Sequence, residues 1–108
     1  MKKLRTLDIC GHEFEVKWGP EATGRKNWGA SKQEARWVAV NDKKCSTKEQ
    51  AERTLLHEAL HMILGLTGTV ELCGGSETKE EILVTALENG LQPVIRQMVE
   101  AGYFRGTK

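Results

Sequence analysis

The sequence predicts an α+β fold: a three-stranded antiparallel or mixed sheet, made of an N-terminal hairpin and an edge strand, packed on two helices. Three observations predict it. Between Thr6 and Trp18 the β-forming residues alternate with polar ones at a period of two, and Ala35 to Val40 is a further run of β-formers. From Ser46 onward the apolar residues recur at helical spacing instead. The length of 108 residues suffices for one core but not for a second folded unit, so residues 1–108 are expected to form a single domain.

Between Thr6 and Trp18, Leu7 and Ile9 alternate with polar neighbours, as do Phe14, Val16 and Trp18, and Gly11-His12 is placed to turn the chain. This segment reads as a β-hairpin. Gly19 to Lys32 carries Pro20, Gly24, Asn27, Gly29 and Ser31 without sustained periodicity, which predicts a long surface loop in which Trp28 is either a packed anchor or a substrate contact, packing being favoured. Ala35 to Val40 is rich in β-formers and stops at Asn41-Asp42, so it reads as a third strand with Trp37 and Val38 on opposite faces.

Ser46-Thr47-Lys48-Glu49 has the Ser-x-x-Glu spacing in which hydroxyl and carboxylate each satisfy a free backbone N–H. A helix is expected from about Thr47 to about Leu66. Beyond Gly65, Gly68, Gly74 and Gly75 a second helix fits Thr78 to roughly Ala101, with Val84, Leu87, Leu91, Val94 and Met98 on one stripe. Pro93 within it predicts a kink or a break near Leu91-Gln92. Gly102 to Lys108 reads as a short tail.

Lys and Arg (16) nearly balance Asp and Glu (15) and are scattered along the chain, so no basic stripe marks a nucleic-acid footprint. Cys10, Cys45 and Cys73 are odd in number and far apart, without a Cys-x-x-Cys pair, as expected of reduced thiols in a cytoplasmic protein. Met1-Lys2-Lys3-Leu4-Arg5 is not followed by an apolar run of signal-peptide length, and no segment has the apolar length of a membrane span.

The chemistry is concentrated in His57-Glu58-Ala59-Leu60-His61, a His-Glu-x-x-His motif. On a helix the two histidines lie one turn apart, so both imidazoles reach one ion, and Glu58 is angled towards a metal-bound water. Hydrolytic zinc takes three protein ligands and keeps one open position, where the pKa of water falls to about 7. Glu58 is then the natural general base. Leu56, Ala59, Leu60, Ile63 and Leu66 spread over one broad helix side, whereas Thr54, His57, Glu58 and His61 group on the other.

The third ligand must come from outside the motif, and the second helix offers Glu77, Glu80, Glu81 and Glu88. A helical hairpin can bring Glu81 back over His57 and His61. Glu81 is the favoured ligand, with Glu80 its main rival; the competing reading is that Thr78-Lys79-Glu80-Glu81 is a capping box in which Glu81 only closes the helix start. His12, in the hairpin turn, is expected to be exposed.

In these residues the chain resembles the minimal gluzincins, small phage and prophage proteins related to the ImmA/IrrE-type metallopeptidases. The resemblance rests on Thr54-Leu55-Leu56-His57-Glu58-Ala59-Leu60-His61 after a strand, then Glu81-x-x-Val84-x-x-Leu87 and Asn89-Gly90-Leu91. It covers about Trp37 to Leu91, and the N-terminal hairpin only in outline. It implies zinc held by His57, His61 and Glu81, Glu58 as general base, and a bacterial or phage-infected cytoplasm. It also implies that Arg36 to Val40 is an edge strand on which a peptide or protein substrate docks by adding to the sheet. The chain departs from the pattern at Glu88, where relatives often have a small residue, and no Tyr or His is clearly placed to hold an oxyanion, Tyr103 being a remote candidate.

The expected function is zinc-dependent peptide-bond hydrolysis. The alternative is a zinc-containing module that binds a peptide or protein and regulates without turnover, since so small a chain has little room for substrate pockets. Association with nucleic acid is suggested only by Lys2, Lys3 and Arg5 and by Arg25-Lys26.

Overall fold

The N-terminal alternation becomes a hairpin in the computed structural model, which describes residues 3–69, 71 and 74–102. Strands β1 (Thr6–Ile9) and β2 (His12–Trp18) pair antiparallel with Ile9 opposite His12, so the turn residues are Cys10 and Gly11. The turn therefore lies one residue earlier than Gly11-His12. A two-residue hairpin turn needs left-handed backbone at both central positions, and Cys10 (φ 55°) and Gly11 (φ 84°) supply it. Phe14 and Val16 point into the core, as their alternation predicts, while His12 is exposed.

The segment from Gly19 to Lys32 is not one loop. It contains a single helical turn, α1 (Pro20–Thr23), and a further strand, β3 (Gly29–Lys32), which pairs antiparallel with β4 (Trp37–Val40). Because β2 pairs parallel with β4, the sheet is mixed and has four strands in the order β1-β2-β4-β3, one more than expected. Two consequences correct the sequence reading. The Arg36–Val40 stretch lies inside the sheet, whose edges are β1 and β3, with β3 the edge next to β4. Strand β4 also starts only at Trp37, because Arg36 has a left-handed φ of 57° and its N–H closes a turn onto Gln33 O. Trp37 is half-buried and Val38 fully buried, on opposite faces.

Helix α2 (Lys48–Thr67) is capped by Thr47, whose side chain accepts from Gln50 N, while Gln50 Oε1 accepts from Ser46 N. The hydroxyl half of a capping box is thus present, displaced one residue from the Ser46/Glu49 pair predicted, while the return bond goes to the residue before the cap. Gly68 ends the helix in the left-handed conformation (φ 76°) that a side chain disfavours. Helix α3 (Glu77–Glu100) starts earlier than Thr78 because Ser76 caps it, accepting from Lys79 N at 3.1 Å. It runs through Pro93 without a break.

Helix α2 is the centre of the molecule. Ala59 and Met62 pack on Ile9, Phe14, Val16 and Val38 of the sheet, whereas Leu60 and Leu64 pack on Val84 of α3. The one broad apolar side predicted for α2 thus resolves into two seams, and Ile63 is left 36% exposed. Helix α3 rests on α2 and not on the sheet. Only the first half of its predicted stripe is covered: Val84 is fully buried, but Leu91 and Val94 are exposed. Cys10 and Cys45 are free thiols, and Cys73 and Tyr103 lie outside the described residues. Among those described, no helix is long and apolar enough to cross a membrane.

Candidate metal centre

The two histidines of the motif face α3 across the helical hairpin, their ring centroids 5.0 Å apart. Helices α2 and α3 run antiparallel, and the contacts between them descend in order: Arg53 with Asn89, His57 with Glu88, His61 with Glu80. Glu81, one turn into α3, reaches over both imidazoles. Its Oε1 lies 2.6 Å from His57 Nε2 and its Oε2 lies 3.1 Å from His61 Nε2. One ligand atom from each of His57, His61 and Glu81 falls within 4.8 Å of the others, so the three can hold a metal ion.

Because Ser76 provides the cap of α3, Glu81 has no capping duty, and its carboxylate is left to the histidines. Glu80, the rival third ligand, lies elsewhere. Its Oε2 accepts from His61 Nδ1 at 2.6 Å, behind the ring instead of in front of it. Glu88 does the same for His57, with Oε1 2.9 Å from Nδ1 and Oε2 3.8 Å from Arg53 Nη1. A carboxylate on Nδ1 fixes the tautomer in which Nε2 carries its lone pair outward, and it makes that nitrogen a better donor.

The donor set therefore fits a borderline divalent cation: two imidazole Nε2 atoms, one carboxylate, and both rings braced from behind. Charge points the same way, since Glu58, Glu80, Glu81 and Glu88 gather around two imidazoles. Burial acts to lower the His57 pKa, but the hydrogen bond to Glu88 and the charges of Glu81 and Glu58 outweigh it, and the net shift is upward.

Glu58 turns away from α3 towards the sheet and is buried. Ser31 Oγ of β3 donates to its Oε1 at 2.7 Å. Gly29 leaves the space beside it: a Cβ there would lie 2.8 Å from Thr54 Cγ2 and 2.9 Å from Glu58 Oε2. Burial pushes the Glu58 carboxyl above its ordinary value, against the lowering effect of the Ser31 hydrogen bond and the two histidines. A cleft of about 470 Å³ opens onto His57, Glu58, His61 and Glu81, walled on its far side by Lys26, Asn27, Trp28 and Gly29.

His57, Glu58, His61 and Glu81, all legible in the sequence, come together here. Ser31 and Gly29 were not legible as site residues, because β3 has no apolar pattern to announce a strand. The bracing glutamates carried a faint signal, Glu88 standing two helical turns after Glu81. No family model matches the chain, and neither the curated proteins nor the solved structures contain a match to it.

Proposed function

We propose that the chain is a small zinc-dependent metallopeptidase, with zinc held by His57, His61 and Glu81 and with Glu58 as the general base. The observation that carries this reading is the convergence of His57 Nε2, His61 Nε2 and the Glu81 carboxylate in an open cleft with a buried carboxylate alongside. When bound, zinc would act as a Lewis acid, lowering the pKa of water and polarising a peptide carbonyl.

The chain's own residues supply the rest. Glu58 takes a proton from water and returns it to the leaving amine, and its raised pKa brings it nearer the range in which a carboxylate does both. Ser31 holds one oxygen of that carboxylate in place. Glu80 and Glu88 hold the imidazoles. The free edge of β3, next to the cleft, offers main-chain partners to an extended substrate.

One observation favours the second reading, a zinc-containing module that binds a peptide without turnover. Among the described residues lining the cleft there is no Tyr, and no His besides the two ligands, to donate to an oxyanion. Metal analysis of the purified protein, followed by mass spectrometry of peptide mixtures incubated with wild type and with Glu58→Gln, separates the readings. A peptidase gives zinc near one per chain and cleavage that Glu58→Gln abolishes. Zinc without cleavage identifies the module, and no zinc in either protein removes both.

A further inference from the structure

The loops beside the cleft present cations for which the metal chemistry has no use. Arg25 and Lys26 follow α1, Lys43 and Lys44 follow β4, and all four are exposed. None of them forms an ion pair among the described residues.

One buried side chain fastens the two loops together. Asn41, 1% exposed, donates through Nδ2 to Asn27 O at 3.1 Å and also reaches Gly24 O and Arg25 O, while its backbone N–H donates to Trp28 O at 2.8 Å. A buried amide hydrogen-bonded to three carbonyls of another loop fixes that loop's shape. The shape it fixes leaves Trp28 46% exposed, not packed as the favoured sequence reading has it, with Lys44 Nζ 5.6 Å from the ring centroid. Arg25, Lys43 and Lys44 border one recess of about 430 Å³, together with Glu21, and Lys26 and Trp28 wall the metal cleft. In a chain whose charges nearly cancel, this is a local concentration of one sign around an exposed indole.

We propose that this surface binds an acidic segment of a polypeptide, and that it selects substrates whose acidic run lies on the Trp28 side of the bond presented to Glu58. The second half rests on the peptidase reading; the binding itself does not. Strand β3 begins at Gly29, directly after Trp28, so a chain paired with the β3 edge continues over Trp28 and Lys26. A polypeptide can be acidic over the basic loops and neutral over the cleft, where Glu58, Glu80, Glu81 and Glu88 stand. A phosphate backbone carries its charge throughout and meets those carboxylates.

The test uses the full chain as the zinc-loaded Glu58→Gln variant and labelled peptides that share a neutral half and end in a run of Glu, Gln or Lys. Fluorescence anisotropy at about 50 and about 200 mM salt should show the Glu peptide binding at least about tenfold more tightly than the Gln peptide, with the gap narrowing at the higher salt. Reversing Lys26→Glu and Lys44→Glu together should abolish the preference, and Lys17→Glu, outside both loops, should retain it. If the reversal disturbs the circular dichroism, Lys26→Ala with Lys44→Ala replaces it. Equal affinity for the Glu and Gln peptides overturns the proposal, as does tighter binding of a single-stranded oligonucleotide than of the Glu peptide. Acid-selective binding with no cleavage by wild type keeps this site and sinks the peptidase reading; cleavage by wild type without acid selectivity does the reverse.

Discussion

Glu88 shows how much a single side chain can decide. It stands two turns beyond Glu81, and its carboxylate spans from His57 Nδ1 to Arg53, which also donates to Asn89 Oδ1 and approaches Glu49. Removing it leaves His57 free to choose its tautomer and turns one imidazole from a fixed donor into a searching one. Glu88→Ala is therefore expected to weaken zinc binding about 10- to 100-fold, and Glu88→Gln, which keeps an acceptor but loses the charge, by less. Competition against a chromophoric chelator measures both. If the two variants bind zinc as wild type does, the bracing role is wrong. The effect of Glu58→Gln should be of another kind: zinc affinity close to wild type, and turnover lower by about 10² or more, since only a proton carrier is lost.

At the level of elements, glycines in three settings give opposite expectations. Gly29 of β3 is a point where the strand and α2 touch, and a Cβ would press on Thr54 Cγ2 and Glu58. Gly29→Ala should cost about 1–3 kcal/mol, as overpacking does, and shift Glu58 from its place beside Ser31. Gly90 of α3 has open space around it, and Gly90→Ala should stabilise by about 0.4–1 kcal/mol. Gly65 of α2 meets only the end of the Gln33 side chain, which can swing aside, so its replacement by Ala should also be tolerated. Thermal melts of the three variants rank them, and a Gly29→Ala protein as stable as Gly90→Ala would falsify the tight β3–α2 contact. The same strand explains what could be read from the sequence. The hairpin and β4 carry bulky β-formers with a buried face, and α2 carries a motif and a cap, so each was legible. Strand β3 is Gly-Ala-Ser-Lys because the helix lies against it, and small residues at such a contact look like loop. The edge position passed from β4 to β3 for the same reason. The two-seam packing of α2 was hidden too, because apolar residues that face two partners blur into one broad side.

The whole molecule combines the centre with the fold, because the hairpin of α2 and α3 is held by one small apolar seam and by the cluster of His57, His61, Glu80, Glu81 and Glu88. Metal bound there tightens the contact between the helices, so zinc at about a thousand times its dissociation constant should add about 4 kcal/mol of stability, on the order of 15 °C in Tm. The pH dependence has a definite sign. In the metal-free protein His57 has a pKa above its unfolded value of 6.5, so it contributes stability that is fully present below 6.5 and is lost as pH rises through the folded pKa. Glu58, raised from 4.5, acts in the same direction in its own window. Asp42, lowered by the Lys3 hydrogen bond, acts oppositely, but its contribution is lost only as pH falls below the ordinary carboxylate value of 3.8. Zinc binding needs His57 neutral, so it releases a proton and strengthens as pH rises. The melting temperature of the chelator-treated protein should therefore fall between pH 6 and pH 8 or so, while that of the zinc-loaded protein holds or rises, and the gap between the two curves should widen. The same pair of scans on His57→Ala should show a small gap that does not change with pH. A gap in wild type that stays constant or narrows as pH rises would mean that His57 is not exchanging a proton for a metal ion.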